Sequence, residues 1–176
     1  MAITLPEIVE YLEQANIKFD VRYEYSDILT CLPTIHFRNE DGDSNLPVMI
    51  HLEEDGKFIK IYSPACYYFG DTKDKQKLSA FFQALLIISF YTKMVQFEVS
   101  PVEKAVYVMV EFPVEDGTIT KKQLSRCLIG IAQVIDEFDS VIRHALQTGQ
   151  ITLVSPLTLE MKEEKEIRED DEDEWI

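Results

Sequence analysis

The hydrophobic period of this chain switches between two and the helical repeat, and those switches restrict the fold more than any other feature. In "KFDVRYEY", Phe19, Val21, Tyr23 and Tyr25 alternate with Lys18, Asp20, Arg22 and Glu24, the period-two pattern of a half-buried strand. In "KLSAFFQALLIISFYTKM" the period changes: Leu78, Phe81, Phe82, Leu85 and Ile88 form a broad apolar face on a helix. Leu124, Leu128, Ile131, Ile135, Phe138 and Ile142 then recur at intervals of three and four, which predicts a second long helix ended by Gly149. Both the first and the last helix open on a capping box, Thr4 with Glu7 and Thr120 with Gln123, and Pro6 stands in the first turn where a missing N–H costs nothing. The first helix runs to about Ala15, with Ile8, Val9 and Leu12 on one face.

Between these elements the chain reads as strands and turns. A second strand is expected over Leu32 to Arg38, broken by "NEDGDSN". A hairpin follows, Val48 to Glu53 and Lys57 to Tyr62, around Asp55-Gly56. After the middle helix come two strands, Val95 to Val99 and Lys104 to Phe112, turning at Ser100-Pro101. The order is helix, antiparallel strands, long helix, two strands, long helix: an α+β chain. Residues 1–159 read as one domain, with Ile151 to Leu159 an extended apolar segment, and residues 160–176 as an acidic tail that stays in water.

The stretch "LSAFFQALLIISFYTKMVQFEVSPVEKAVYVMVEFPVEDGTITKKQLSRCLIGIAQVIDEFDSVI" resembles the type III secretion chaperones and the related bacterial YbjN-type domains. It has their run of helix, short strand, strand, turn and last helix, and the resemblance in pattern extends over roughly Leu5 to Leu146. It implies an antiparallel sheet with packed helices in a non-enzymatic module, dimeric as a rule, that holds segments of other proteins.

Charge narrows the choice of partner. The net charge is −15, and Glu160 to Ile176 alone holds ten acids and three bases, so both the tail and the body are acidic. Nucleic acid and anionic membrane are therefore poor partners, since phosphate binding needs a basic patch. No apolar run is long enough to span a bilayer and the first residues lack a basic leader region, so a cytoplasmic protein is expected. Cys31, Cys66 and Cys127 are odd in number and widely spaced, which suits free thiols in a reducing compartment.

Catalytic equipment is sparse. The six glycines are scattered with no phosphate loop, and neither a nucleophile elbow nor a zinc-helix motif occurs. His36 and His51 fall in expected strands and His144 near the end of the last helix. Asp41, Asp43 and Asn45 have the spacing of a calcium loop, but Leu46 and Leu52 stand where it needs glycine and glutamate. Glu53 and Glu54 are adjacent beside a turn and would face apart. No cofactor, metal or nucleotide is expected.

Three places point to protein binding. Tyr67, Tyr68 and Phe69 crowd "SPACYYFGD", read as a loop, where they either plug the core or contact a partner. At about 100° per residue, Leu86 and Phe90 fall in the polar stripe of Ser79, Gln83 and Lys93. Either another chain, most simply a second copy, covers them or the helix is buried all round. Finally, Trp175 and Ile176 follow the acids Glu169 to Glu174 as an apolar anchor, with the acids attracting a basic partner and the indole water-exposed until it binds. The function expected is a protein-binding module, chaperone-like or a regulatory adaptor, receiving an apolar segment on a patch or strand edge. The rivals are a ligand or enzyme pocket between sheet and helix, and a structural subunit docked through the tail.

Overall fold

The computed structural model describes residues 2–115 and 117–152. The helix α1 (Leu5–Gln14) leads into β1 (Phe19–Arg22), β2 (Asp27–Pro33), β3 (Asn45–Glu53) and β4 (Phe58–Tyr68). Then come α2 (Lys75–Tyr91), β5 (Gln96–Ser100), β6 (Ala105–Pro113) and α3 (Lys121–Thr148). The strands form one six-stranded sheet in the order β1-β2-β3-β4-β6-β5, antiparallel at every pairing.

Strand registers sort the sheet into two faces. Val21, Ile28, Ile50, Ile61 and Val110 stand side by side across five strands. They share one core with Phe81, Leu85 and Ile88 of α2, Leu128, Ile131 and Ile135 of α3, and Ile8 and Leu12 of α1. Each large side chain removed from water there contributes roughly 1.5–3 kcal/mol. The two long helices run antiparallel over this face: Gly149 lies against Gln76 at one end, and Gly130 against Val95 at the other. No helix of the described residues is long and apolar enough to cross a membrane.

Both capping boxes form. Glu7 accepts from the backbone N–H and the hydroxyl of Thr4, and Gln123 does the same for Thr120. Gly149 closes α3 in the left-handed region, φ 75°, with its N–H on the carbonyl of Ala145.

Three expectations are corrected. The alternation of "KFDVRYEY" stops being a strand at Arg22, because Tyr23–Tyr25 form a 3-10 turn and Ser26 adopts φ 54°. The two tyrosines on that turn stay 71% and 62% exposed. As a result the second strand begins at Asp27 and ends at Pro33, not Leu32 to Arg38, and His36 lies in the loop beyond it. The third correction concerns "SPACYYFGD", whose first six residues, Ser63 to Tyr68, are the end of β4. A bulge between Ser63 and Tyr67 keeps both facing inward, with Ala65 at φ 48° and Pro64 where a ladder N–H is not needed.

Candidate functional site

Helix α2 is apolar nearly all round, so one side suffices to fill the core and the other side has apolar residues to spare. Ala80, Phe81, Ala84, Leu85 and Ile88 are buried. On the outer side Leu86 is 71% and Phe90 80% exposed, one turn apart, beside exposed Ser79 and Gln83. The Phe90 ring meets only the edge of Tyr91, at 5.2 Å between centroids, among the aromatic pairs of the described residues. The helix is therefore not buried all round.

Next to this stripe, a groove of about 870 Å³ runs between the end of α2 and the first half of α3. Its apolar lining includes Tyr91, Met94 and Ile129, and its rim carries Lys93, Lys122 and Arg126. Ile129 is 54% exposed although it sits beside the buried Leu128. Val95 packs against α3 at Gly130, where a Cβ would sit in ordinary van der Waals contact, 3.8 Å from the valine methyl. Apart from Lys93, a member of the polar stripe, no sequence pattern marks these groove residues. Ile129 carried a faint signal, as an isoleucine one position off the apolar stripe of α3.

The aromatic triplet divides. Tyr67 is buried, 4% exposed, so its ring is core and offers no surface to a partner. It meets Phe37 edge-on at 6.1 Å, stacks under the Arg143 guanidinium at 5.5 Å, and donates its hydroxyl to Asp139 at 3.2 Å. Burial first, and then the charge of Asp139, push the Tyr67 phenol well above its ordinary pKa. Burial likewise raises Asp139, against the pull of Arg143, whose Nε donates to it at 2.8 Å. Phe69 packs on Phe81 and Phe82, and of the three only Tyr68 is exposed. Trp175 and Ile176 lie outside the described residues.

Among the described residues no helix packs on the opposite face of the sheet, where charged side chains surround the buried Met49 and Met109. Arg22, Asp27, His51, Lys60 and Glu111 form a cross-strand charge ladder, with Arg22 and Asp27 at 3.9 Å and Lys60 and Glu111 at 3.6 Å. His51 Nδ1 bonds Asp27, and its Nε2 is 3.8 Å from Glu53. A shallow groove of about 520 Å³ over this face is also lined by Tyr62 and Tyr107. The hydrogen bond between the Tyr107 hydroxyl and Glu103, with lesser help from burial, pushes that phenol up to about 12. The carboxylates fix the imidazole in place, and the ladder satisfies charges strand by strand. In the calcium-like loop, Asn39 accepts from the Asp43 N–H at 2.8 Å and donates to Asn45 at 2.9 Å, so the polar groups serve the turn. Among the described residues no three His, Cys, Asp or Glu side chains converge on a metal position.

No protein-family model matches the sequence, and no curated protein does. Among solved structures, the chain is similar to the E. coli protein YbjN, described there as a candidate transcription regulator. The TM-score is 0.51 at 14% identity, over 80% of this chain and 94% of that one. The HopA1-SchA chaperone-effector complex gives a TM-score of 0.44 at 8% identity, over 79% of this chain and 89% of that one. The α+β fold, one antiparallel sheet with packed helices, is thus shared with YbjN.

Proposed function

We propose that this chain is a non-enzymatic protein-binding module that pairs with a second copy of itself through the outer face of α2. The observation that carries this reading is the exposure of Leu86 and Phe90, 71% and 80%, on an otherwise well-packed helix. Each exposed side chain forgoes roughly 1.5–3 kcal/mol that a covering chain would recover. A dimer also accords with the segment-holding role that the sequence resemblance implies. The site for a held segment is the outer edge of β5, which pairs with no strand among the described residues and beside which Val99 and Val102 are exposed. Tyr68 is the part of the aromatic triplet available to such a segment. We place this adaptor in the cytoplasm, its three thiols free.

The rival pocket between sheet and helices is not favoured, because that space is filled by Phe81, Leu85, Ile88 and the α3 stripe. Sedimentation tests the dimer. The wild-type chain should sediment at twice the monomer mass, and Leu86→Asp should restore the monomer with its circular dichroism unchanged. A wild type that stays monomeric at high concentration would sink the reading.

A further inference from the structure

Although the chain is acidic throughout, its groove between α2 and α3 is not. Lys93, Lys122 and Arg126 line it against one acid, Glu137. Among the described residues none of the three cations lies within 4.0 Å of a carboxylate; the ion pairs are made by Arg22, His51, Lys60 and Arg143. A net charge of −15 leaves this cationic rim as a local exception, set around an apolar floor of Tyr91, Met94 and Ile129. Such a site fits an acidic segment ending in an apolar anchor. The chain contains one: Glu169 to Glu174 followed by Trp175 and Ile176.

We infer that the acidic tail docks intramolecularly in this groove, with Trp175 on its apolar floor and the acids against Lys122, Arg126 and Lys93. The basic partner expected of the tail is then the body of the same chain. Reach favours the same chain over a second copy. The path leaves the domain at the far end of α3, where Ile151 packs on Ala80, Ala84 and Ala145. From Thr148 back to Arg126 the helix covers about 33 Å at 1.5 Å per residue. A flexible chain of 23 residues, the number from Leu153 to Trp175, would have a root-mean-square span of roughly 24–29 Å. A tether whose span nearly matches the gap gives an effective concentration on the order of millimolar, above that of any second copy in dilute solution. Charge steers the approach within the screening length of about 8 Å, and the indole supplies the short-range contact. The groove residues are not those of the proposed dimer face, so the two readings fail separately.

The test uses the full chain and its single indole. The emission of Trp175 should be blue-shifted and shielded from acrylamide at low salt. Lys122→Glu/Arg126→Glu, two exposed positions, should raise its quenching constant about twofold or more and shift the emission to the red. Lys18→Glu/Lys57→Glu, the same charge change elsewhere on the surface, should leave both unchanged. On the wild type, raising salt from about 0.05 M to about 0.5 M should act like the groove variant, because screening shortens the attraction. Shielding should not vary with protein concentration. An indole as quenchable as free tryptophan at low salt overturns the inference. So does shielding indifferent to both the groove variant and salt, which places the tail elsewhere, or shielding that grows with concentration, which assigns the groove to a second copy.

Discussion

Asp136 shows how one side chain fixes a segment that strand pairing does not reach. Its Oδ1 accepts backbone N–H groups of Ile35, His36 and Phe37 at 2.9, 2.6 and 2.9 Å, holding the loop after β2 against α3. Burial pulls this carboxyl upward, but the three backbone donors and the nearby His36 together outweigh it, so its pKa lies below the ordinary value. A depressed carboxyl stabilises the fold above the unfolded pKa, about 3.9, and that contribution disappears as pH falls through the lowered folded pKa. Asp136→Ala should therefore cost about 1–2 kcal/mol at neutral pH, toward the lower end for a partly exposed hydrogen-bonded charge. Denaturant unfolding at neutral and acid pH should show the gap between wild type and variant closing in acid. A gap that persists at low pH would mean that packing, and not the charge, holds the loop. Nothing in the sequence marked Asp136, because its partners are about a hundred positions away and lie on backbone atoms.

At the scale of elements, what was legible had a local cause. The capping boxes at Thr4 and Thr120, the stripe of α3 and the stop at Gly149 each depend on residues within a few positions of one another. The exposed pair on α2 was legible too, since Leu86 and Phe90 interrupt a polar stripe. The β1–β2 turn was not: Tyr-Glu-Tyr-Ser carries no glycine, asparagine or proline, and its tyrosines continue the alternation without burying. Where glycine does make the turn, the structure explains why. Gly56 has φ 83°, its carbonyl accepts the Ile3 N–H at 3.1 Å, and a Cβ would come within 2.0 Å of the Ile3 oxygen. Gly42 has a similar φ of 85° with open space around it. Gly56→Ala should lose about 2–3 kcal/mol and Gly42→Ala about 1 kcal/mol, seen as unequal drops in melting temperature. Equal drops would mean that the chain entering α1 moves aside without cost.

The whole molecule behaves as one core, and its thiols can report this. Cys31 is exposed, whereas Cys66 and Cys127 are buried within the same apolar cluster. Burial pushes the Cys66 thiol up to about 12 and also raises Cys127, so neither offers thiolate at neutral pH. A thiol reagent should modify one cysteine per native chain, and Cys31→Ser should remove that reaction. The other two should react at a common rate set by global unfolding. Early labelling of Cys127 alone would show that α3 opens separately. At this scale the groove was illegible for a plain reason: Met94, Lys122, Arg126 and Ile129 become neighbours only when α2 and α3 lie antiparallel. The strand order was illegible likewise, because period two reports which face a residue takes and not which strand stands beside it.

That order has a consequence for how the chain is made. The strands β1 to β4 pair with their neighbours in sequence, but β4 finds its other partner, β6, only after α2 and β5 have been built. During synthesis the first half can thus form a meander whose last strand has an open edge, with Ile59 and Ile61 on an uncovered apolar face. Closing the intervening loop adds little to the free-energy cost but delays the pairing, as non-local ladders do. In that interval the nascent chain presents the kind of edge on which β-rich intermediates associate. The arrival of β6 on the growing chain pairs that edge, and α3, made last, completes the cover over Ile59 and Ile61.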